Sequence, residues 1–183
     1  LSPVARISST VVALAVPASA GIGSMKDFVA AARQQRGKFN FATVTTVTDI
    51  IVEGYSKSAG LDMTKVSYRD TVSALNDLIE SRIQLYSAAY AIVRGQAAGG
   101  KVKLLAVMNR SRAPGLDLPT VAEVGVPELQ FDGLVGMISA RSANLSPVAR
   151  SRIAADVRAI AAEPAIIERL ATTAQLNVPG DAA

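Results

Sequence analysis

The sequence has 183 residues, half of them apolar and 19% charged, and it contains no cysteine, histidine or tryptophan. The high apolar and low charged content excludes a disordered chain, and the short, interrupted apolar runs exclude a membrane span. The length suits a globular domain with a core of its own. The missing residue types exclude disulfide bonds, zinc clusters and His-based triads, so binding is a better expectation than catalysis. The net charge of +4 suits a small anionic partner but is too low to indicate nucleic-acid binding.

The first twenty residues have the features of a secretory signal peptide. Arg6 supplies a positive charge, and an apolar run follows it and ends near Ala18-Ser19-Ala20, which is similar to a cleavage site. The run is short and β-branched, and it stops at Pro17. These features are more typical of a buried strand than of a signal segment. We therefore predict a strand from Thr10 to Val16.

Helical and strand-like patterns alternate along the rest of the chain. The predicted strands are 39–43, 65–68, 83–86 and 102–108, followed by an extended stretch at 129–140. The predicted helices are 24–36, 46–60, 70–79, 90–99, 120–123, 146–160 and 164–172. Units of about 20–30 residues that alternate strand and helix predict an α/β fold with a mostly parallel sheet flanked by helices. The last two helices follow one another without a strand, which suggests the edge of a second lobe.

Three junctions between a strand and a helix carry the polar residues expected of a binding site. In open α/β sheets, ligands bind beyond the carboxyl ends of the strands, where helix N-termini favour anions. Hydroxyl groups and one guanidinium at these junctions would add hydrogen bonds to a carboxylate. The candidate ligand-binding residues are Thr43, Thr45, Thr46, Val47, Thr48, Arg69, Asp70, Thr71, Ser87 and Ala88.

Each junction also has a plainer interpretation. The threonine run could be strand plus helix cap, Arg69 could be a solvated surface residue, and Asp70 could simply cap a helix. Asp49 and Glu53 are spaced like paired carboxylates, although a solvated helix face is the better expectation. The glycines do not follow dinucleotide or P-loop spacing, so the sequence predicts no nucleotide cofactor, no metal and no catalytic residue.

Three segments resemble motifs of one protein family. Residues 68–83 are similar to Y-[KR]-G-x-x-x-A-L-x-D-L-x-x-G-x-[IV], residues 100–107 to GK-x-[KR]-x-LAV, and residues 118–127 to [DV]PT-[VF]-AE-x-G-x-P. Together they resemble the solute receptors of tripartite tricarboxylate transporters, also called Bug-type receptors. The resemblance runs along the whole chain.

This resemblance implies a periplasmic receptor of the type II binding-protein fold, whose two α/β lobes close on a small organic acid. It implies that residues 10–133 form the ligand-binding lobe two. Residues 134–183 would be the returning strand and helices of an incomplete lobe one, from which residues 1–9 enter. The signal peptide and most of lobe one would be absent from this fragment. The expected partners are a small carboxylate and the membrane subunits of the transporter, without nucleic acid.

The family's ligand loop, G-x-G-T-S-x-H-L-x-x-E, is only partly present. Thr46 matches its threonine and Glu53 its glutamate, while the preceding loop is about two residues shorter and has no glycine. The resemblance therefore implies a hydroxyl-rich pocket that still favours an anion through Arg69. The departures from the family pattern are Val47 for the serine, Asp49 for the histidine, Asp70 for a glycine and Ala88 for an aspartate.

A single lobe should bind its ligand weakly. Micromolar affinity needs about −8 kcal/mol, whereas each exposed helix end contributes only about 0.3–1 kcal/mol. We therefore predict millimolar binding or none. Apolar helix residues such as Val148, Ile153 and Ile167 would stay uncovered, which predicts self-association into a homodimer through the lobe-one helices.

Three other functions stay open at this point. The effector-binding domain of a bacterial transcription regulator shares the lobe architecture and would have a helix-turn-helix segment upstream. A small α/β enzyme would need a nucleophile and a base, and an interaction module would need neither.

Overall fold

The structure is a computed structural model that describes residues 1–181. Within these residues the chain forms nine β-strands and six α-helices. The strands are β1 (Ser2–Thr10), β2 (Val12–Pro17), β3 (Phe39–Thr43), β4 (Met63–Lys65), β5 (Leu85–Ala89), β6 (Val102–Val107), β7 (Gly133–Ser139), β8 (Gln175–Leu176) and β9 (Gly180–Asp181). The helices are α1 (Met25–Gln34), α2 (Thr46–Ser58), α3 (Thr71–Ile79), α4 (Tyr90–Ala98), α5 (Pro147–Ala161) and α6 (Pro164–Thr172).

The chain divides into two compact units. The central unit is Val12–Phe131, and the terminal unit joins Leu1–Val11 to the described residues from Asp132 onward. Among residues 1–181, no helix is both long and apolar enough to cross a membrane.

The central unit contains a five-stranded sheet in the order β4-β3-β5-β2-β6. β3 runs parallel to β4 and β5, but β2 runs antiparallel to both β5 and β6. Four of the five strands therefore run in one direction, as the alternating pattern predicted for a mostly parallel sheet, and β2 alone is reversed. β2 is the first strand of this sheet and follows β1 of the other sheet, so no strand-helix-strand crossover within the sheet leads into it; such crossovers are the connections that join parallel strands.

Two apolar clusters fill the two faces of this sheet, because alternate residues of a strand point to opposite sides. Val12, Leu14 and Val16 of β2 belong to the cluster beneath α1 and α2. Ala13 and Ala15 belong to the cluster beneath α3 and α4. Helices thus cover both faces, as the sequence pattern predicted for an α/β fold.

The terminal unit contains a smaller sheet in the order β7-β1-β8, with β9 also paired to β1. β7 runs antiparallel to β1. α5 packs on β1, and Ser146 caps α5 by accepting a hydrogen bond from the N–H of Ala149 at 3.1 Å. The predicted start of this helix at Ser146-Pro147 is confirmed.

Several predicted elements differ from the structure in position. The predicted strand at 10–16 is β2 preceded by the unpredicted β1, and the strands predicted at 65–68 and 83–86 lie at Met63–Lys65 and Leu85–Ala89. The helix predicted at 120–123 is a turn, in which the Thr120 N–H donates to Glu123 Oε2 at 2.7 Å. It does not continue because Gly125 has a φ of +82°, outside the helical range.

Candidate functional site

One edge of the central sheet gathers the starts of three helices. In the parallel pair β3–β5, Thr43 lies opposite Ser87, and in the antiparallel pair β2–β5, Val12 lies opposite Ala89. α2 begins three residues after β3, and α4 begins directly after β5. We call the edge marked by Thr43, Ala89 and Val12 the helix-start edge.

The start of α2 is built from the threonine run. Thr45 is the N-cap, and its Oγ1 accepts a hydrogen bond from the Thr48 N–H at 3.2 Å. In return, the Thr45 N–H donates to Thr48 Oγ1 at 3.1 Å, which completes a capping box. Thr48 is fully buried, whereas Thr46 and Val47 are exposed on the first turn. The run is therefore strand end plus helix cap, one of the two interpretations that the sequence left open.

Thr43 ties β3 to the second turn of α2. Its hydroxyl donates to Asp49 Oδ1, and Asp49 Oδ2 lies 2.9 Å from Lys65 Nζ. Lys65 also lies 3.8 Å from Glu53 Oε1. One ammonium group thus joins the two partly exposed carboxylates. No sequence motif pointed to Lys65, which reaches the two carboxylates because β4 pairs with β3.

The start of α3 carries a negative charge of its own. Asp70 is the N-cap, and its carboxylate accepts hydrogen bonds from the N–H of Ser73 at 2.8 Å and from its hydroxyl at 2.9 Å. These bonds, led by the one from the backbone, hold the pKa of Asp70 below its ordinary value. Thr71 follows as the first helical residue and is exposed. The amides that an external anion would use here are partly occupied by Asp70.

Arg69 precedes this cap and is exposed. It makes no hydrogen bond or ion pair with any other residue in the described range 1–181, so its guanidinium is available to an anion.

The start of α4 differs from the other two. Its N-cap is Ala89, and no side chain caps it within the described part of the chain. An uncapped helix start presents backbone N–H groups without intrahelical partners. Ser87 and Ala88, which precede it, are fully buried, and the Ser87 hydroxyl donates to Met108 Sδ at 3.1 Å. Their side chains face the core and do not reach the edge.

Two tyrosines support α3 from beneath. The Tyr86 hydroxyl lies 3.5 Å from the carbonyl O of Thr71, and the Tyr68 hydroxyl donates to Asp77 Oδ2 at 2.7 Å. Burial raises the pKa of both phenols to about 12, with help from the nearby carboxylates Asp70 and Asp77 respectively. Both phenols therefore stay neutral at physiological pH and act in packing.

The helix-start edge therefore combines the positive ends of three helices with one unpaired guanidinium. In residues 1–181, no three potential metal ligands of the His, Cys, Asp or Glu type lie together. Uncapped amides, exposed first-turn residues and an arginine together favour binding of a small anion.

Comparison with known proteins identifies the family of the chain. The model of the tripartite tricarboxylate transporter family receptor matches residues 1–181. A UPF0065 protein encoded in the tcbD-tcbE intergenic region of Pseudomonas sp. strain P51 is 26% identical over 172 residues, which are 92% of this chain and 51% of that protein. The chain thus spans about half the length of this relative.

Solved structures share the fold. The R. palustris protein Rpa4515, solved with adipate, is 24% identical, with a TM-score of 0.82 over 99% of this chain and 61% of that one. MatC from Rhodopseudomonas palustris, solved with bound malate, is 20% identical, with a TM-score of 0.74 over 96% and 60%. The α/β fold of a periplasmic binding protein is confirmed by these similarities. With its family model matched along the described residues, the chain belongs to the receptor family of the tripartite tricarboxylate transporters.

Proposed function

We propose that this chain is the ligand-binding part of an extracytoplasmic receptor that captures a small organic acid for a tripartite tricarboxylate-type uptake system. The observation that carries the proposal is the meeting of three helix starts and Arg69 at one edge of the central sheet, in a member of a receptor family. The solved relatives hold adipate and malate, which are dicarboxylates, and this supports the same class of ligand here.

The ligand carboxylate would lie against α2 and α4 and near Arg69. Thr46 and Val47 are exposed on the first turn of α2, so their backbone amides are available to it. Arg69 would supply the charge-assisted hydrogen bonds. The other predicted ligand residues would act indirectly: Thr43, Thr45 and Thr48 shape the start of α2, Asp70 and Thr71 shape that of α3, and Ser87 and Ala88 support α4 from the core.

The central unit would be lobe two of the receptor, and the terminal unit would be part of lobe one. The protein would work in the periplasm, deliver its ligand to membrane subunits of the transporter, and carry out no chemical reaction. The family match supports the receptor over the effector-binding domain of a transcription regulator, which the sequence had left open.

The expected affinity for the ligand differs between a single lobe and a pair of lobes. Helix ends contribute about 0.3–1 kcal/mol each in water, and a hydrogen bond contributes a net 1 kcal/mol or so. These terms do not reach the roughly −8 kcal/mol of a micromolar complex after the cost of association. Closure of a second lobe would exclude water and add contacts.

The test is a thermal-shift and calorimetric titration with adipate, malate and citrate, on this chain and on the longer gene product. We expect millimolar binding or none by this chain, and micromolar or tighter binding of at least one acid by the longer protein. Arg69→Ala should weaken that binding at least tenfold. The matched control is Arg36→Ala, which removes the same charge between α1 and β3, at the opposite edge of the sheet.

Tight binding by this chain alone would contradict the two-lobe account. Equal affinities of the Arg69 and Arg36 variants would contradict the placement of the ligand. If no acid shifts the longer protein, the ligand class itself is wrong.

A further inference from the structure

The start of α2 has a carboxylate close beside it. Asp49 lies three residues after Thr46, the first residue of α2, which is about 4.5 Å along the helix axis. Its Oδ1 atom accepts a hydrogen bond from the hydroxyl of Thr43, the residue that marks the helix-start edge at the end of β3. The Asp49 side chain is 19% exposed. A bare carboxylate in this place would repel a second carboxylate that approached the same helix start.

Lys65 supplies the charge that neutralises this carboxylate. Its Nζ atom lies 2.9 Å from Asp49 Oδ2, and the hydrogen bond to Asp49 raises the pKa of Lys65 above its ordinary value. Lys65 is the last residue of β4, and it lies opposite Phe41 in the parallel pair β3–β4. The parallel pairing therefore places Lys65 at the same edge of the sheet at which β3 ends.

Glu53 shares the ammonium group but is held less closely. Glu53 Oε1 lies 3.8 Å from Lys65 Nζ, and the Glu53 side chain is 42% exposed. Glu53 lies four residues further along α2 than Asp49, which is about 6 Å further from the helix start. Because Glu53 is both more distant and more exposed to screening by water and salt, Asp49 is the carboxylate that would oppose an anion at the start of α2.

We propose that Lys65 is a positioning residue of the candidate anion site, which keeps Asp49 neutralised beside Thr43 so that a ligand carboxylate can approach the start of α2. This proposal rests on the proposed function, because it gives Lys65 a part in the same site. Lys65 would act through Asp49 and would not contact the ligand. Without the ammonium group, the Asp49 carboxylate would lie within a Debye length of the bound acid, about 10 Å at 0.1 M salt, and would weaken its binding.

The test is calorimetric titration of the longer gene product with adipate, malate and citrate. Lys65→Met removes the ammonium group and keeps an unbranched side chain. It should weaken the binding of whichever acid binds by about threefold. The loss should be greater at about 0.01 M salt than at about 1 M salt, because the Debye length falls from about 30 Å to about 3 Å. Lys65→Arg should recover most of the affinity that Lys65→Met loses.

Arg82→Met is the matched control for this loss of charge. Arg82 also joins two carboxylates, because its guanidinium lies 2.6 Å from Asp77 Oδ1 and pairs with Glu80. It follows the end of α3, and its carbonyl O accepts a hydrogen bond from Asn40 near the start of β3, at the opposite edge of the sheet. Arg82→Met should leave the affinity unchanged. The melting temperatures of the two methionine variants report whether either substitution disturbs the fold.

A second substitution separates repulsion by Asp49 from a purely structural role of Lys65. Asp49→Asn removes the charge but keeps an oxygen that can accept the hydrogen bond from the Thr43 hydroxyl. The double variant Lys65→Met/Asp49→Asn should therefore recover most of the lost affinity. Lys65→Met/Glu53→Gln should recover little, so the two double variants show which carboxylate Lys65 has to neutralise.

The outcomes distinguish this proposal from the proposed function. If the parent protein binds an acid and Lys65→Met binds it equally well, the role of Lys65 is wrong and the proposed function stands. The same holds if Asp49→Asn does not rescue Lys65→Met, if Glu53→Gln rescues it equally well, or if the loss of affinity does not depend on salt. If the parent protein binds none of the acids, the proposed function is wrong, and the role of Lys65 falls with it.

Discussion

At the scale of single residues, the three helix starts differ in what already occupies them. Thr45 caps α2 with a neutral hydroxyl, and Asp70 caps α3 with a carboxylate. α4 has no side-chain cap within the described residues. A resident negative charge at α3 repels an incoming anion, so α2 and α4 are the better donors to a carboxylate.

Replacing Asp70 by the glycine that the family pattern has at this position should therefore strengthen anion binding. Asp70→Gly in the longer gene product should lower the dissociation constant for a dicarboxylate severalfold, while its helix loses only a few tenths of a kcal/mol, since glycine is a tolerated N-cap. Ser24→Gly removes the cap of α1 in the same way and should leave affinity unchanged. Calorimetric titration of both variants checks this, and equal affinities would contradict it.

The pH dependence of stability also depends on a few residues. The pKa of Asp77 lies below its ordinary value, first because the Tyr68 hydroxyl donates a hydrogen bond to its carboxylate and second because the Arg82 guanidinium does. Hydrogen bonds from Ser73 lower the pKa of Asp70 in the same way. A lowered folded-state pKa stabilises the fold above the unfolded value near 4, and this stabilisation is lost as pH falls through the folded value. The melting temperature should thus fall progressively below about pH 4.

At alkaline pH, the stability of the fold should fall as the pH rises. The pKa values of Tyr68 and Tyr86 are raised to about 12, so their contribution to stability is complete below about pH 10 and is lost as pH rises toward 12. The chain has no histidine, so no side chain at its ordinary pKa titrates between about pH 5 and 8. Circular dichroism melts should show a plateau there, and a strong slope between pH 6 and 8 would contradict this account.

At the scale of elements, the sequence predicted the bounds of the helices more accurately than those of the strands. The Ser24 and Ser146 caps marked the starts of α1 and α5, since a cap is a local signal that needs no distant partner. The start of β1 was not predicted for two reasons. Its alternation of buried and exposed residues is broken by two register shifts, near Pro3 and near Ile7. Its partner strand β7 also lies more than 120 residues away in the sequence, and no local pattern indicates so distant a pairing.

The capping box of α2 provides a test at this scale. Thr45→Ala removes the acceptor for the Thr48 N–H and should cost about 1 kcal/mol of unfolding free energy. That corresponds to a fall in melting temperature of roughly 2–4 °C for a chain of this size. Thr46→Ala is the matched control, because Thr46 is exposed on the first turn. Similar melting temperatures of the two variants would show that the box does not stabilise α2.

The sequence pointed to the edge of the sheet where the candidate site is proposed, but it did not predict the contacts within that edge. The rule that ligands bind beyond the carboxyl ends of strands led to the junctions after β3 and β5 and before α3. The burial of Ser87 and the joining of Asp49 to Glu53 by Lys65 depend on strand order. Strand order is set by tertiary packing and leaves no local trace.

At the scale of the whole molecule, the two units are unequally equipped to fold. The central unit is continuous in sequence and carries apolar clusters on both faces of its sheet. The terminal unit joins two distant segments, and its β7 is exposed. A continuous unit with its own core can fold alone, whereas a unit made of separated segments must first close a long loop.

We therefore predict that residues 12–131 fold as an isolated fragment. Its thermal unfolding should be cooperative, and its amide spectrum should be dispersed. Residues 64–183, a fragment of equal length that cuts through the central sheet, should remain unfolded. In the whole chain, hydrogen exchange should be slower in β2, β3 and β5 than in β7. Uniform protection of both units would contradict this difference.

The small side chains beneath α3 and α4 have one more consequence. Ala13, Ala15, Ala42 and Ala88 are almost completely buried on that face of the sheet, so the two helices can approach it closely. The thickness of this alanine layer sets how far the starts of both helices stand from the sheet. A valine or leucine here would push the helices outward and shift their positive ends. In the proposed receptor, substitutions in this alanine layer would alter the preference for shorter or longer acids, through residues that do not contact the ligand.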